Sequence, residues 1–144
     1  MNESTPKSPT RFLPHIARVL MGLVFFAAGL VGLIMHPQPK EAMPEGAMAL
    51  MTGFAKSGYM LPLISGTEAL VGLLLLINCF VPLALTIIAP VIVNIMAFHI
   101  FLMPAPNAFT PGIIVFLLEI YLAWSYRRVF APMLALKVKP GPAA

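Results

Sequence analysis

Four apolar runs divide the chain, at 16–35, 59–77, 80–103 and 111–126, and polar residues fall mostly between and beyond them. Each run approaches the ~20 residues that a helix rising ~1.5 Å per residue needs to cross ~30 Å of hydrocarbon. Backbone amides inside lipid have no water to bond, and these runs are far longer than barrel strands, so each predicts a helix. Proline and glycine punctuate the ends: His36-Pro37-Gln38-Pro39, Pro104-Ala105-Pro106-Asn107 and Pro111-Gly112 are turn chemistry. Pro90 falls inside the third run, where it removes an amide donor, frees the carbonyl of Thr86 and predicts a kink. In the first run Ala28 and Gly32, with Gly22 and Gly29 nearby, give the small-xxx-small spacing that lets helices approach closely in lipid.

The first connection is the sizeable one. Within it Ala47, Leu50, Met51 and Phe54 follow helical spacing, so the segment predicts a short amphipathic helix lying on the outer membrane interface, ended by Lys56-Ser57-Gly58. Met35, Met43, Met48, Met51 and Met60, with His36, would suit a soft metal ion. The simpler account is that methionines fill an apolar face.

Composition agrees with the pattern. Of 144 residues, 60% are hydrophobic and 10% charged, against about 25% charged in an ordinary soluble domain. The expectation is therefore an all-α polytopic membrane protein, a single transmembrane domain over 1–144 with tails at 1–15 and 127–144. The net charge of +4 is spread over tails and loops, which gives no nucleic-acid face and reads instead as a topology signal. Lys7, Arg11 and Arg18 precede or open the first run, and Arg127, Arg128, Lys137 and Lys139 follow the last. The first connection holds only Lys40 and Lys56, offset by Glu41 and Glu45, and the other two hold no cation. That asymmetry predicts a four-transmembrane-helix bundle with both termini cytoplasmic, and with Trp124 and Tyr126 at the inner interface. No cleavable signal is expected, since the first run is too long for a signal core and no small-x-small cleavage site follows it. Cys79 is the one cysteine, so an intrachain disulfide is excluded, and a packed thiol is expected there.

Glu68, Asn94 and Glu119 lie near the middle of the second, third and fourth runs, and His99 lies five residues beyond Asn94, about 7–8 Å nearer the outer surface. An ionisable side chain at such depth costs about 2.5–3.5 kcal/mol and should turn inward toward a partner. The expected site is a ligand pocket built from Glu68, Asn94, His99 and Glu119. A carboxyl held neutral there donates a hydrogen bond to an amide or imidazole. Asn94 and His99 are about 140° apart on an ideal helix, so either Pro90 alters the winding or the two flank a wide wedge. A register-fixing hydrogen-bond network, a pocket for a small quinone-type ligand and a proton path all fit these residues. Haem is disfavoured: His36 and His99 both lie toward the outer side, but His36 sits among prolines. His15 belongs at the inner interface.

Taken together, "ARVLMGLVFFAAGLVGLI" and "SGYMLPLISGTEALVGLLLLINCFVPLALTIIAPVIVNIMAFHIFL" resemble the DoxX family of small four-helix membrane proteins, from about Arg18 to Arg128. The most telling parts are Glu68 before a Gly-Leu-rich run with Gly72, the "FVPLAL" turn and "APVIVNIMAFHIFL". The resemblance implies a multi-pass protein of the bacterial cytoplasmic (inner) membrane, in a family named for a small subunit of a thiosulfate:quinone oxidoreductase and linked with thiol and oxidative-stress systems. Four-helix thiol-quinone enzymes among its wider relatives depend on cysteine pairs; here Cys79 is alone, and no flavin, iron–sulfur or nucleotide motif is present. The expectation is thus an accessory subunit of a membrane redox or quinone-linked system, binding a small hydrophobic ligand. A stand-alone membrane oxidoreductase or proton-transfer enzyme, and a structural or assembly subunit of a larger complex, are the rival readings. Its expected partners are the lipid bilayer and a membrane protein or a second copy of itself.

Overall fold

The computed structural model describes residues 12–35, 43–103, 111–136 and 141. Within them the chain is all-helical, without strands: α1 Leu13–Met35, α2 Glu45–Ser57, α3 Met60–Leu76, α4 Val81–Leu102, α5 Pro111–Ser125 and α6 Arg127–Phe130, then a 3-10 turn Ala131–Leu134. His36, the segments 36–39 and 104–107, and Lys7, Arg11, Lys40, Glu41, Lys137 and Lys139 of the charge pattern lie outside the described residues.

Length and apolar composition make α1, of 23 residues, and α4, of 22, candidate membrane spans. A third arises if α2 and α3 count as one span, although the two meet at a bend of 91°. The α5 helix is apolar but has 15 residues. Leu13, Ile16, Leu20, Leu23, Leu63, Phe101, Leu117 and Trp124 are all exposed. An apolar surface so continuous is unstable against water and calls for lipid.

Helices α1, α3, α4 and α5 share one core, in which Met21, Phe25, Val71, Leu75, Leu85, Ile88, Ile92 and Leu122 are shut off from the surroundings. The α1–α3 contact is the most extensive in the molecule, and glycine explains it. A Cβ at Gly29 would strike the Ala69 backbone and come 2.6 Å from the Ser65 carbonyl; one at Gly72 would strike the Phe26 backbone and lie 2.8 Å from the Gly22 carbonyl. Lipid offers no hydrophobic drive between helices, so close backbone packing carries the association. The small-residue pair expected at this contact, Ala28 and Gly32, is only half right. Ala28 is exposed, while Gly22 and Gly29, two turns apart, are buried against α3.

The α3–α4 turn corrects two further expectations. Asn78 takes a left-handed conformation (φ 59°), its N–H donates to the Leu75 carbonyl and that of Cys79 to the Leu74 carbonyl. This is a Schellman closure with Asn in the position glycine usually fills. It swings Cys79 outward, so the thiol is exposed rather than packed. Arg18 is not a loop charge but a buried residue of α1, 7% exposed. Its guanidinium Nη1 donates to the carbonyl of Leu75, with Leu76 at 3.4 Å. The last carbonyls of a helix lack intrahelical donors, and a cation there also meets the negative end of the dipole. Helix α4 runs unbroken through Pro90.

Candidate functional site

A cavity of about 500 Å³ opens between α2, α3 and α4. Helix α3 contributes Met60, Leu61, Ile64 and Glu68, and α2 contributes Met51 and Phe54. Helix α4 contributes Pro90, Asn94 and Phe98 from one ridge and Val91, Ile95 and His99 from the next. These two rows of fourfold spacing form a broad face, and Asn94 and His99 occupy its two sides. Asn94 and His99 thus reach the cavity from two neighbouring ridges of α4.

The α2 helix roofs this space. Its N-terminal end rests on α4, where a Cβ at Gly46 would lie 3.1 Å from Leu102, and its middle hangs Met51 and Phe54 over the cavity. At its far end Ser57 ties the sharp bend: its hydroxyl donates to the Phe54 carbonyl at 2.6 Å and accepts from the Met60 N–H at 3.1 Å. Gly58, at φ 76°, supplies the left-handed residue that ends α2. Of the stripe Ala47, Leu50, Met51 and Phe54, expected on a helix lying along the outer interface, Ala47 is fully buried and Met51 and Phe54 line the cavity.

His99 is held on two sides. Its Nδ1 lies 2.7 Å from the Ile95 carbonyl. A carbonyl only accepts, so Nδ1 is the donor. The α5 helix presses against the same ring edge at Gly112, where a Cβ would come 3.3 Å from Nδ1. The neighbouring Phe98 ring meets the imidazole edge-on, with centroids 5.6 Å apart. The backbone and α5 thus fix the ring while it still lines the cavity.

Of the four expected site residues, Glu68, Asn94 and His99 line this one space, and Glu119 is not among its lining residues. Glu119 lies on the inward face of α5 with Gly112, Val115 and Leu122. It is 9% exposed, and its Oε2 has no hydrogen-bond partner among the described residues. The same holds for Arg18 Nε. No group of three or more His, Cys, Asp or Glu side chains is placed to hold a metal ion among the described residues. Met51 and Met60, two of the five methionines considered for a soft metal, line the cavity as apolar wall.

The site's chemistry is that of an apolar chamber with an acid, an amide and an imidazole on its walls. It can orient a hydrophobic molecule by one or two hydrogen bonds, and it holds no cysteine pair for thiol exchange. In comparisons with known proteins, no family model matches this chain, and no curated protein or solved structure matches it significantly.

Proposed function

We propose that this chain is a four-span integral membrane protein, DoxX-like, serving as an accessory subunit of a quinone-linked redox system in a bacterial cytoplasmic membrane. In this reading α1, α3, α4 and α5 cross the bilayer, both termini lie in the cytoplasm, and α2 lies along the outer interface above the cavity. The shared core of those four helices and the concentration of Lys and Arg in the two tails support the topology.

The observation that carries the functional part is the cavity itself. Its volume, about 500 Å³, falls in the roughly 300–1,000 Å³ range of small-molecule sites, which are mostly apolar with a few placed polar groups. Glu68, Asn94 and His99 are such groups, and a quinone-class head supplies oxygens for them to bond. The test is calorimetric titration of a short-chain ubiquinone analogue, in its oxidised and its reduced form, into detergent-purified protein. Saturable binding of either form that weakens in Asn94→Leu supports the reading; no binding of either form by protein with an intact melting transition removes it.

A further inference from the structure

We propose that the cavity selects a hydroxyl-bearing ligand, a phenol or hydroquinone rather than the corresponding ether or quinone, and that His99 makes the selection. This inference rests on the cavity being a ligand site, and it adds which hydrogen-bonding sense the ligand must have. The argument starts from the bond between His99 Nδ1 and the Ile95 carbonyl, 2.7 Å long. That bond consumes the Nδ1 proton. In the neutral imidazole the other nitrogen, Nε2, then carries a lone pair and no hydrogen. The Nδ1 edge is closed off by the turn of helix below it and by Gly112 of α5. The edge left to the cavity is the one bearing Nε2, which only accepts.

The other two polar groups do not discriminate in this way. An amide such as Asn94 both donates and accepts, and a carboxyl such as Glu68 accepts when ionised and donates when protonated. A quinone or ether oxygen meeting Nε2 would oppose lone pair to lone pair, leaving both unsatisfied in an apolar space. A hydroxyl satisfies both. An unmade hydrogen bond of this kind costs about 1–3 kcal/mol, or about 5- to 150-fold in affinity.

The experiment uses the full chain in detergent and two probes of nearly equal size and apolarity, 4-pentylphenol and 4-pentylanisole, titrated calorimetrically. The expected result is at least about fivefold tighter binding of the phenol, with the preference collapsing in His99→Phe. The wild-type comparison decides by itself if that variant does not fold. Equal affinities, or tighter binding of the ether, overturn the proposal. If the quinone analogue binds and the phenol shows no preference, the donor requirement fails while the cavity's ligand role stands. If no probe binds to folded protein, both fail.

Discussion

Arg18 of α1 reaches across the helix pair and donates to the carbonyl of Leu75 on α3, closing the end of a helix it does not belong to. The bond joins the two helices that pack most closely, at the C-terminal end of α3, where the Leu75 carbonyl also accepts from the Asn78 N–H. Arg18→Met keeps most of the aliphatic stem and removes the donors. We expect it to lower unfolding stability in detergent by about 1.5–3 kcal/mol, the usual worth of a hydrogen bond to a charged group. A melting temperature equal to the wild type would mean that the guanidinium serves only as a charge.

Glycines in α3 separate into two kinds. Gly72→Ala drives a methyl into the Phe26 backbone, which cannot move without parting α1 from α3. The expected loss is about 3 kcal/mol or more, the upper end for overpacking. Gly66→Ala meets nothing within 4 Å and should gain about 0.5–1 kcal/mol, the helix-propensity difference between Ala and Gly. Thermal melts of the two variants, six residues apart on one helix, should move in opposite directions.

How far the sequence carries is clear from these residues. The run read as 16–35 is helix from Leu13 to Met35, and the stripe Ala47, Leu50, Met51, Phe54 lies on α2 as its spacing demands. Periodicity reports such local facts well, because one helix's pattern does not depend on its neighbours. Which way a face turns does depend on them. Ala28 and Gly29 are adjacent and both small, yet only Gly29 meets α3. Likewise Arg18 reads as a flanking charge until the C-terminal carbonyls of α3 are placed beside it. The polar trio of the cavity was visible as polar residues within apolar runs, and Met51 and Phe54 as part of an amphipathic stripe, whereas Phe98 carried no signal beyond being apolar.

Cys79 offers a direct test of orientation, being the chain's one cysteine and exposed in the α3–α4 turn. In the proposed topology this turn faces the cytoplasm. A membrane-impermeant maleimide should label Cys79 in inside-out vesicles and leave it unlabelled in intact spheroplasts. Labelling in spheroplasts alone would reverse the assigned orientation.

Gly112 sets how His99 stands. A methyl there would come 3.3 Å from Nδ1 and 3.6 Å from Cγ, so the ring must give by a few tenths of an ångström and its bond to Ile95 lengthens. Gly112→Ala should therefore weaken binding of 4-pentylphenol by about two- to tenfold, up to the worth of one hydrogen bond of about 1.4 kcal/mol. Its melting temperature should stay within a few degrees of the wild type, because the added helix propensity offsets the crowding. Unchanged phenol affinity would show that the imidazole does not need its present orientation.

Glu68 of α3 and Glu119 of α5 should behave differently, because they sit in different surroundings. Glu68 lines the cavity, while Glu119 is buried on α5 with Oε2 unpartnered and is not among the lining residues. Glu68→Gln keeps the shape of the side chain but replaces a carboxyl with an amide, so ligand affinity should fall by about 3- to 30-fold if that group touches the ligand, with the fold intact. Glu119→Gln should leave affinity within about twofold. Glu119→Leu, which removes an unsatisfied polar atom from an apolar site, should raise stability or leave it unchanged, since such groups cost about 1–3 kcal/mol when buried alone. Calorimetry and thermal melts on these three variants decide the matter. An affinity loss in Glu119→Gln equal to that in Glu68→Gln would return Glu119 to the ligand site and make the chamber one of four polar residues instead of three.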